Sequence, residues 1–285
     1  MIVKGSFQLA RPLESGAAGS DTRLAELVCN QEADVLFVLP GYDYTFRESV
    51  RRAALLSALY SKDMNRPLIP VVFSWPSLGM WTKYEKDRER ASASGDAIAL
   101  AMQGMAKCKG RRIHLVAHST GAHALQHALN SSRHKLKGRI FETVILAAAD
   151  TDHDALDSPN KLGRLARVAK SVHCYINARD YALKYAQVAM VQPDRLGDDP
   201  GGAPLGNNFK GRIAIVDCRN VDFKWWEPNR WAPWRDELRH QYYRMNPTVI
   251  RDIQEAIHGK RKRQGRYRLV ESGPTRHFPP ERSPR

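Results

Sequence analysis

The chain has 285 residues, 42% of them hydrophobic and 26% charged, and its formal net charge is +15. These proportions are typical of a globular protein, and no apolar run approaches the roughly 18 residues of a membrane-spanning helix. We expect no secretory signal, because no long apolar segment follows basic residues near the start of the chain. The cysteines lie far apart without a C-x-x-C pair, which predicts reduced core thiols in a cytoplasmic protein at Cys29, Cys108, Cys174 and Cys218.

Strand and helix patterns alternate along the chain. Short apolar runs predict strands at 35–39, 69–75, 113–118, 143–149, 172–177 and 212–217. Helical patterns lie at 46–60, 84–107, 121–131, 155–169, 180–188 and 247–257. Most apolar runs are continuous, which is typical of strands covered on both faces. We therefore predict one α/β domain over residues 1–257, with a mostly parallel central sheet and helices on both faces.

Three segments lie outside this alternation. Residues 1–33 form an N-terminal extension with a weaker strand pattern at 3–10, and the Gly- and Pro-rich run 192–210 predicts a loop. The tail 258–285 carries nine Lys and Arg against two Glu and has no apolar period, so we expect it to be mostly disordered. We interpret it as a solvated tail that aids solubility; the alternative is attraction of nucleic acid or an anionic surface.

One strand-to-helix junction has a pattern that packing does not require. The apolar run 113–118 ends in Ala117-His118-Ser119-Thr120-Gly121, and an amphipathic helix follows at once. This matches the G-x-S-x-G nucleophile elbow, with Ala in the first Gly position. Small residues on either side let a sharp turn pack closely while the serine hydroxyl projects from it. Ser119 is therefore a candidate nucleophile, and the alternative is an ordinary helix cap.

The positions of Asp180 and His240 match the rest of a catalytic triad. A nucleophile elbow of this type is followed along the chain by an Asp or Glu and then by a His. Asp180 follows the strand at 172–177, and His240 lies in a loop after the last strand. Because ligands collect at the carboxyl ends of parallel strands, these positions suit catalysis. We predict a triad of Ser119, Asp180 and His240.

Other acidic residues and histidines compete for these roles. Asp150 and Asp152 follow the preceding strand and are alternative acids, with Asp217 less favoured. His118 sits in the elbow beside the serine and cannot easily turn its ring onto it, while His114 lies in mid-strand. His123 and His127 are four residues apart on a helix, but Ala124 takes the place of the glutamate in H-E-x-x-H, so we expect a helix-surface pair and no metal site.

The oxyanion hole and the substrate contacts are predicted from two loops. Backbone N–H groups of Tyr42, after Pro40-Gly41, and of Thr120 are the expected oxyanion donors. Four of the six tryptophans lie in KWWEPNRWAPW shortly before His240. Trp226 and Trp231 are candidate substrate contacts in an aromatic flap, with Arg230 and Arg235 available for an anionic group. The alternative is that these tryptophans fasten a long loop to the body.

With these residues identified, the chain resembles the α/β-hydrolase superfamily, and within it the bacterial family known as domain of unknown function 900. The matching segments include VLFVLPGYDYTFRESV, VVFSWPSLG, IHLVAHSTGAHAL, CYINARDYAL and HQYY. The resemblance implies the α/β-hydrolase fold and the same Ser119–Asp180–His240 triad. The chain departs from the family at Pro40-Gly41, where His-Gly is usual, and at Thr120, where Met is commoner.

These residues predict a serine hydrolase that cleaves a carboxylic ester, or a related acyl bond, through an acyl-enzyme on Ser119. Such a mechanism requires neither a metal nor an organic cofactor, and its substrate is a small ester or acyl compound. Two alternatives stay open from the sequence. One is a catalytically silent member of the fold that binds nucleic acid or an acidic partner, and the other is an acyltransferase with the same triad.

Overall fold

A computed structural model describes most of the chain between residues 26 and 278. The described residues are 26, 28–29, 32–62, 67–189, 193–198, 209, 212–221, 238–258, 270–272 and 275–278. The strand pattern at 3–10, most of the loop at 192–210 and the tryptophan-rich segment lie outside them. Within these ranges, no helix has the length and apolar composition needed to cross a membrane.

The centre of the molecule is a parallel sheet. Its strands are β1 (Asp34–Leu39), β2 (Leu68–Val72), β3 (Ile113–His118), β4 (Phe141–Ala147), β5 (Ala169–Ile176) and β6 (Ile213–Asp217). They lie in the order β2-β1-β3-β4-β5-β6, and every neighbouring pair is parallel. Every residue of β1 and β3 is buried, as their continuous apolar sequences predict. The predicted α/β architecture is confirmed.

Helices cover both faces of this sheet. They are α1 (Phe46–Tyr60), α2 (Tyr84–Ala93), α3 (Gly95–Ala106), α4 (Thr120–Leu129), α5 (Leu165–Val168), α6 (Tyr181–Ala189), α7 (Tyr242–Met245) and α8 (Pro247–His258). Alternate strand residues point to opposite faces. Val35 and Phe37 therefore pack in the cluster that contains α3 and α4, and Leu36 and Val38 pack with α1 and α8.

Two helix predictions need correction. The stretch 84–107 forms two helices, α2 and α3, which meet at Ser94. A Cβ atom on Gly95 would lie 2.8 Å from Cβ of His127, so α3 begins in direct contact with α4. The helix expected at 155–169 is mostly turns, followed by a 3₁₀ turn and the short α5. Pro159 supplies no N–H group for a helix there, and the N–H of Gly163 bonds back to the carbonyl of Ala155.

The prediction of reduced cysteines is wrong for one pair. Cys29 and Cys108 form a disulfide across 79 residues of chain, with their Cα atoms 4.9 Å apart. Their spacing in the sequence conceals this proximity, because 79 residues separate the two cysteines. Cys174 and Cys218 are free and buried, as expected. The cysteine content is therefore no argument for a cytoplasmic protein.

A short part of the C-terminal tail, which is predicted to be mostly disordered, forms regular structure. Residues 270–272 and 275–277 form two short strands, β7 (Val270–Ser272) and β8 (Thr275–His277). β8 pairs with β6 in parallel, and β7 pairs with β8 in antiparallel orientation. An edge strand such as β6 presents unpaired backbone groups, and the buried side chain of Phe278 anchors the added strand. Local composition does not reveal this pairing.

Candidate active site

Ser119 lies in a sharp turn between β3 and α4. Its backbone angles are φ 52° and ψ −126°, in a region that residues other than glycine rarely adopt. A Cβ atom on Gly121 would lie 2.3 Å from the carbonyl oxygen of Leu39, so this position requires glycine. Ala117, two residues before the serine, is fully buried. The turn has the close packing on both sides that the elbow pattern predicts.

The loop after β1 packs against this turn. A Cβ atom on Gly41 would lie 3.1 Å from Cβ of Ser119, so glycine permits the close approach of the two segments. The indole N–H of Trp75 donates to the carbonyl of Pro40 at 3.0 Å and holds the loop in place. Tyr42, the next residue, lies at the cavity beside Ser119. The loop thus places Tyr42 in the same cavity wall as Ser119.

Asp180 and His240 form a buried hydrogen-bonded pair. Nδ1 of His240 lies 2.6 Å from Oδ2 of Asp180, within hydrogen-bond distance. Oδ1 of Asp180 accepts from the N–H groups of Ala182 and Leu183, both at 3.1 Å, at the start of α6. Burial raises the pKa of Asp180, and its contacts with His240 oppose this only in part. The hydrogen bonds to His240 and to the start of α6 together fix the orientation of the Asp180 side chain.

One cavity joins these groups. It is small and open to solvent, and both Ser119 and His240 lie in its wall. The rest of the wall is aromatic and apolar except for one carboxylate, and consists of Tyr42, Tyr84, Asp150, Ala182, Leu183, Tyr185 and Ala186. Ser119 and His240 therefore lie in the wall of one cavity, and Asp180 contacts His240.

The alternative acids have other partners. Asp150 contacts the guanidinium groups of Arg88 and Arg195, both at 3.3 Å. Asp152 pairs with Lys161 at 2.9 Å and with Arg195 at 3.2 Å. Asp217 is paired with Arg219. Among the described residues, the carboxylate that contacts the His240 ring is that of Asp180.

Three other candidate histidines, His118, His123 and His127, have contacts elsewhere. His118 stacks on the ring of Tyr243 at 4.6 Å, and burial lowers its pKa. His123 and His127 are not on an exposed helix surface as predicted. They lie between α2 and α4, where each contacts the hydroxyl of Ser92, at 2.9 and 3.1 Å. In the part of the chain that the structure describes, no three His, Cys, Asp or Glu side chains are arranged to hold a metal ion.

Several residues at this site were not predicted from the sequence. Tyr84 and Tyr185 line the cavity, and Arg88 and Arg195 surround Asp150. No motif marks them, because they come from helices and a loop that are far apart in the chain. The candidate substrate contacts Trp226 and Trp231, and the neighbouring Trp225, Arg230, Trp234 and Arg235, lie outside the described residues.

A comparison with protein-family models gives one match. The family described as "Alpha/beta hydrolase of unknown function (DUF900)" matches residues 17–261. The chain belongs to this family of α/β hydrolases. A search of curated proteins finds no match. For a member of the DUF900 family, the parallel sheet and the serine turn at its carboxyl edge are the features that the fold leads one to expect.

Proposed function

We propose that this α/β hydrolase is a serine hydrolase that cleaves a carboxylic ester through an acyl-enzyme on Ser119. The observation that carries the proposal is a single cavity with two features. Ser119 lies in its wall in a strained elbow, and His240, hydrogen-bonded to the buried Asp180, lies in the same wall. Packing alone requires neither the positive φ of the serine nor the buried His–Asp pair.

The mechanism follows from these positions. Nε2 of His240 takes the proton of Ser119 as Oγ attacks the ester carbonyl carbon. Asp180 keeps the proton of His240 on Nδ1 and stabilises the imidazolium that forms. The tetrahedral intermediate then collapses, and the alcohol leaves with the proton from Nε2. Water attacks the acyl-enzyme by the same steps, with His240 again as the base, and releases the carboxylic acid.

The negative charge of the tetrahedral intermediate needs hydrogen-bond donors. Thr120 is the first residue of α4, and the first N–H groups of a helix have no acceptor within the helix. Its N–H and that of Tyr42 are the proposed oxyanion donors. Removing one such donor typically slows turnover by about a hundredfold to a thousandfold. The wall supplied by Ala182, Leu183 and Ala186 suits an apolar acyl group.

The test is covalent labelling with a fluorophosphonate, followed by intact mass and peptide mapping. We expect one adduct, on Ser119, in the wild type and none in Ser119→Ala. The exposed serine variant Ser132→Ala is the control and should be labelled like the wild type. Ester hydrolysis should fall to background in Ser119→Ala alone. A folded wild type that takes no label would contradict the proposal and favour a catalytically silent binding protein.

The contributions of Trp226 and Trp231 to substrate binding remain predictions from the sequence, as does the attraction of nucleic acid or an anionic surface by the tail.

A further inference from the structure

Asp150 lies in the cavity wall but has no part in the acyl-transfer steps. It is almost completely buried, at 1% exposure. The hydroxyl of Tyr84 donates to both carboxylate oxygens, at 2.9 and 2.8 Å, and the hydroxyl of Thr120 donates to Oδ2 at 3.0 Å. Arg88 and Arg195 approach Oδ1, each at 3.3 Å. Burying a carboxylate and two guanidinium groups costs desolvation free energy, which an apolar residue of similar size would avoid. A functional role for Asp150 would explain why the charge is kept.

The charge state of this group determines the direction of its hydrogen bonds. Burial acts to raise the pKa of Asp150, but Arg88, Arg195 and the Tyr84 hydrogen bond together outweigh it, so the pKa lies below its usual value. An ionised carboxylate only accepts hydrogen bonds. The hydroxyl proton of Thr120 must therefore point at Asp150. A hydrogen bond to a charged acceptor is stronger than a neutral one, so it restricts the orientation of Thr120.

Asp150 also contacts the elbow through its backbone. Its N–H donates to the carbonyl oxygen of Ser119 at 3.1 Å, and the N–H of Ser119 donates to the carbonyl of Ala147 at 3.0 Å. The end of β4 and the residue Asp150 that follows it therefore hold the backbone of Ser119 at its N–H and at its carbonyl. The side chain of Asp150 contacts the next residue as well, because it accepts the hydrogen bond of the Thr120 hydroxyl.

We propose that Asp150 is a positioning residue that fixes the Thr120 N–H in the oxyanion hole by accepting the hydrogen bond of the Thr120 hydroxyl. This inference rests on the proposed function. Arg88 and Arg195 balance the charge of the carboxylate, which would otherwise oppose an oxyanion forming nearby. Tyr84 holds the carboxylate from its other side. The oxyanion donor is thereby oriented before the substrate arrives, as electrostatic catalysis requires.

The experiment removes the hydroxyl and keeps the backbone donor. Thr120→Val has nearly the same shape as the wild type and retains the N–H. We expect kcat for a p-nitrophenyl ester to fall roughly tenfold to a hundredfold with KM within about twofold, because only the transition state uses the donor. Binding of an alkylboronic acid, which forms a tetrahedral adduct on the serine, should weaken by a similar factor. Thr120→Ser, which restores the hydroxyl, should recover most of kcat.

Two further comparisons separate positioning from a structural role. Thr151→Val is the matched control. Thr151 is buried beside Asp150, and its hydroxyl has no hydrogen-bond partner among the described residues, so kcat should not change. Asp150→Asn should lower kcat as well. In the double variant Thr120→Val/Asp150→Asn, kcat should fall no further than in the more impaired single variant, because both substitutions break the same hydrogen bond.

Unchanged turnover and boronic acid binding in Thr120→Val would overturn the proposal, even if Asp150→Asn fails to fold. Multiplied losses in the double variant would also overturn it, since the two residues would then act separately. Failure of the proposed function looks different. The wild type itself would then take no fluorophosphonate label and hydrolyse no ester, and the positioning role would fall with it.

Discussion

At the scale of single residues, buried ionisable groups divide into paired and unpaired ones. Asp180 and Asp150 are buried, and each is satisfied by donors from two directions. His114 differs. It is fully buried in the middle of β3, and neither of its ring nitrogens has a hydrogen-bond partner among the described residues. An imidazole in this position is kept neutral, because a buried charge without a partner is costly.

This environment predicts how stability depends on pH. Burial lowers the pKa of His114 from 6.5 to about 3. Between these values the unfolded chain binds a proton that the folded protein does not, so the free energy of unfolding decreases as pH falls below about 6.5. One such group contributes up to about 1.4 kcal/mol per pH unit. His114→Leu should therefore flatten the acid side of the stability curve, measured by urea unfolding from pH 7 to pH 4.

The comparison of variant and wild type isolates His114 from the other groups that titrate in this range. His123, whose pKa burial also lowers to about 3, is present in both proteins and contributes equally. Parallel stability curves for the two proteins would show that His114 is protonated when folded, or that water reaches it.

At the scale of elements, α6 has two roles in the site. The backbone N–H groups at its start hold Asp180, and Ala182, Leu183, Tyr185 and Ala186 line the cavity. The N–H of Tyr181 donates to the carbonyl of Leu238 at 3.0 Å, which joins the start of α6 to the loop that carries His240. Asp180 and His240 are therefore positioned by one helix start, although 60 residues separate them.

The disulfide acts at the same scale, because it ties residues 28–29 to the chain between α3 and β3. A crosslink that closes a loop of 79 residues restricts the unfolded chain. We expect Cys29→Ala/Cys108→Ala to lower the free energy of unfolding by about 2–4 kcal/mol. Reductant should have the same effect on the wild type in urea unfolding.

Cys174→Ala is the control for that prediction. It also removes a buried sulfur, so it loses stability through packing, but it should keep the sensitivity of the protein to reductant. Thiol titration of the unreduced, unfolded wild type should detect Cys174 and Cys218 alone. Equal stability of the wild type with and without reductant would contradict the stabilising role of the bond.

At the scale of the whole molecule, the sheet extends beyond the strands predicted from apolar runs. β8 continues it past β6, and Phe278 enters the core cluster that also contains α1 and α8. The carbonyl of Phe278 also accepts a hydrogen bond from the side chain of Asn220 at 3.2 Å. This bond holds the backbone of the residue whose ring packs in the core. A segment with the composition of a solvated tail therefore contributes to the core.

We expect Phe278→Ala to destabilise the protein by about 3 kcal/mol, because it leaves a cavity in a packed cluster. Thermal or urea unfolding measures this loss, and fluorophosphonate labelling of the folded variant at Ser119 should persist, since Phe278 is not in the cavity wall. Val188→Ala is the control: its side chain is 83% exposed, so the change should stay within about 0.5 kcal/mol. Equal stability of Phe278→Ala and Val188→Ala would contradict the anchoring role.

The sequence by itself determined the parallel sheet, most of the helices, and the order of Ser119, Asp180 and His240 along the chain. These depend on local patterns: continuous apolar runs, helical periodicity, and small residues around a turn. The tertiary structure alone decided which acid faces His240, which residues neutralise Asp150, that Cys29 meets Cys108, and that residues 275–277 extend the sheet. In each of these pairs the partners are far apart in sequence. Contacts of that kind arise from the packing of complete elements, and no local pattern encodes them.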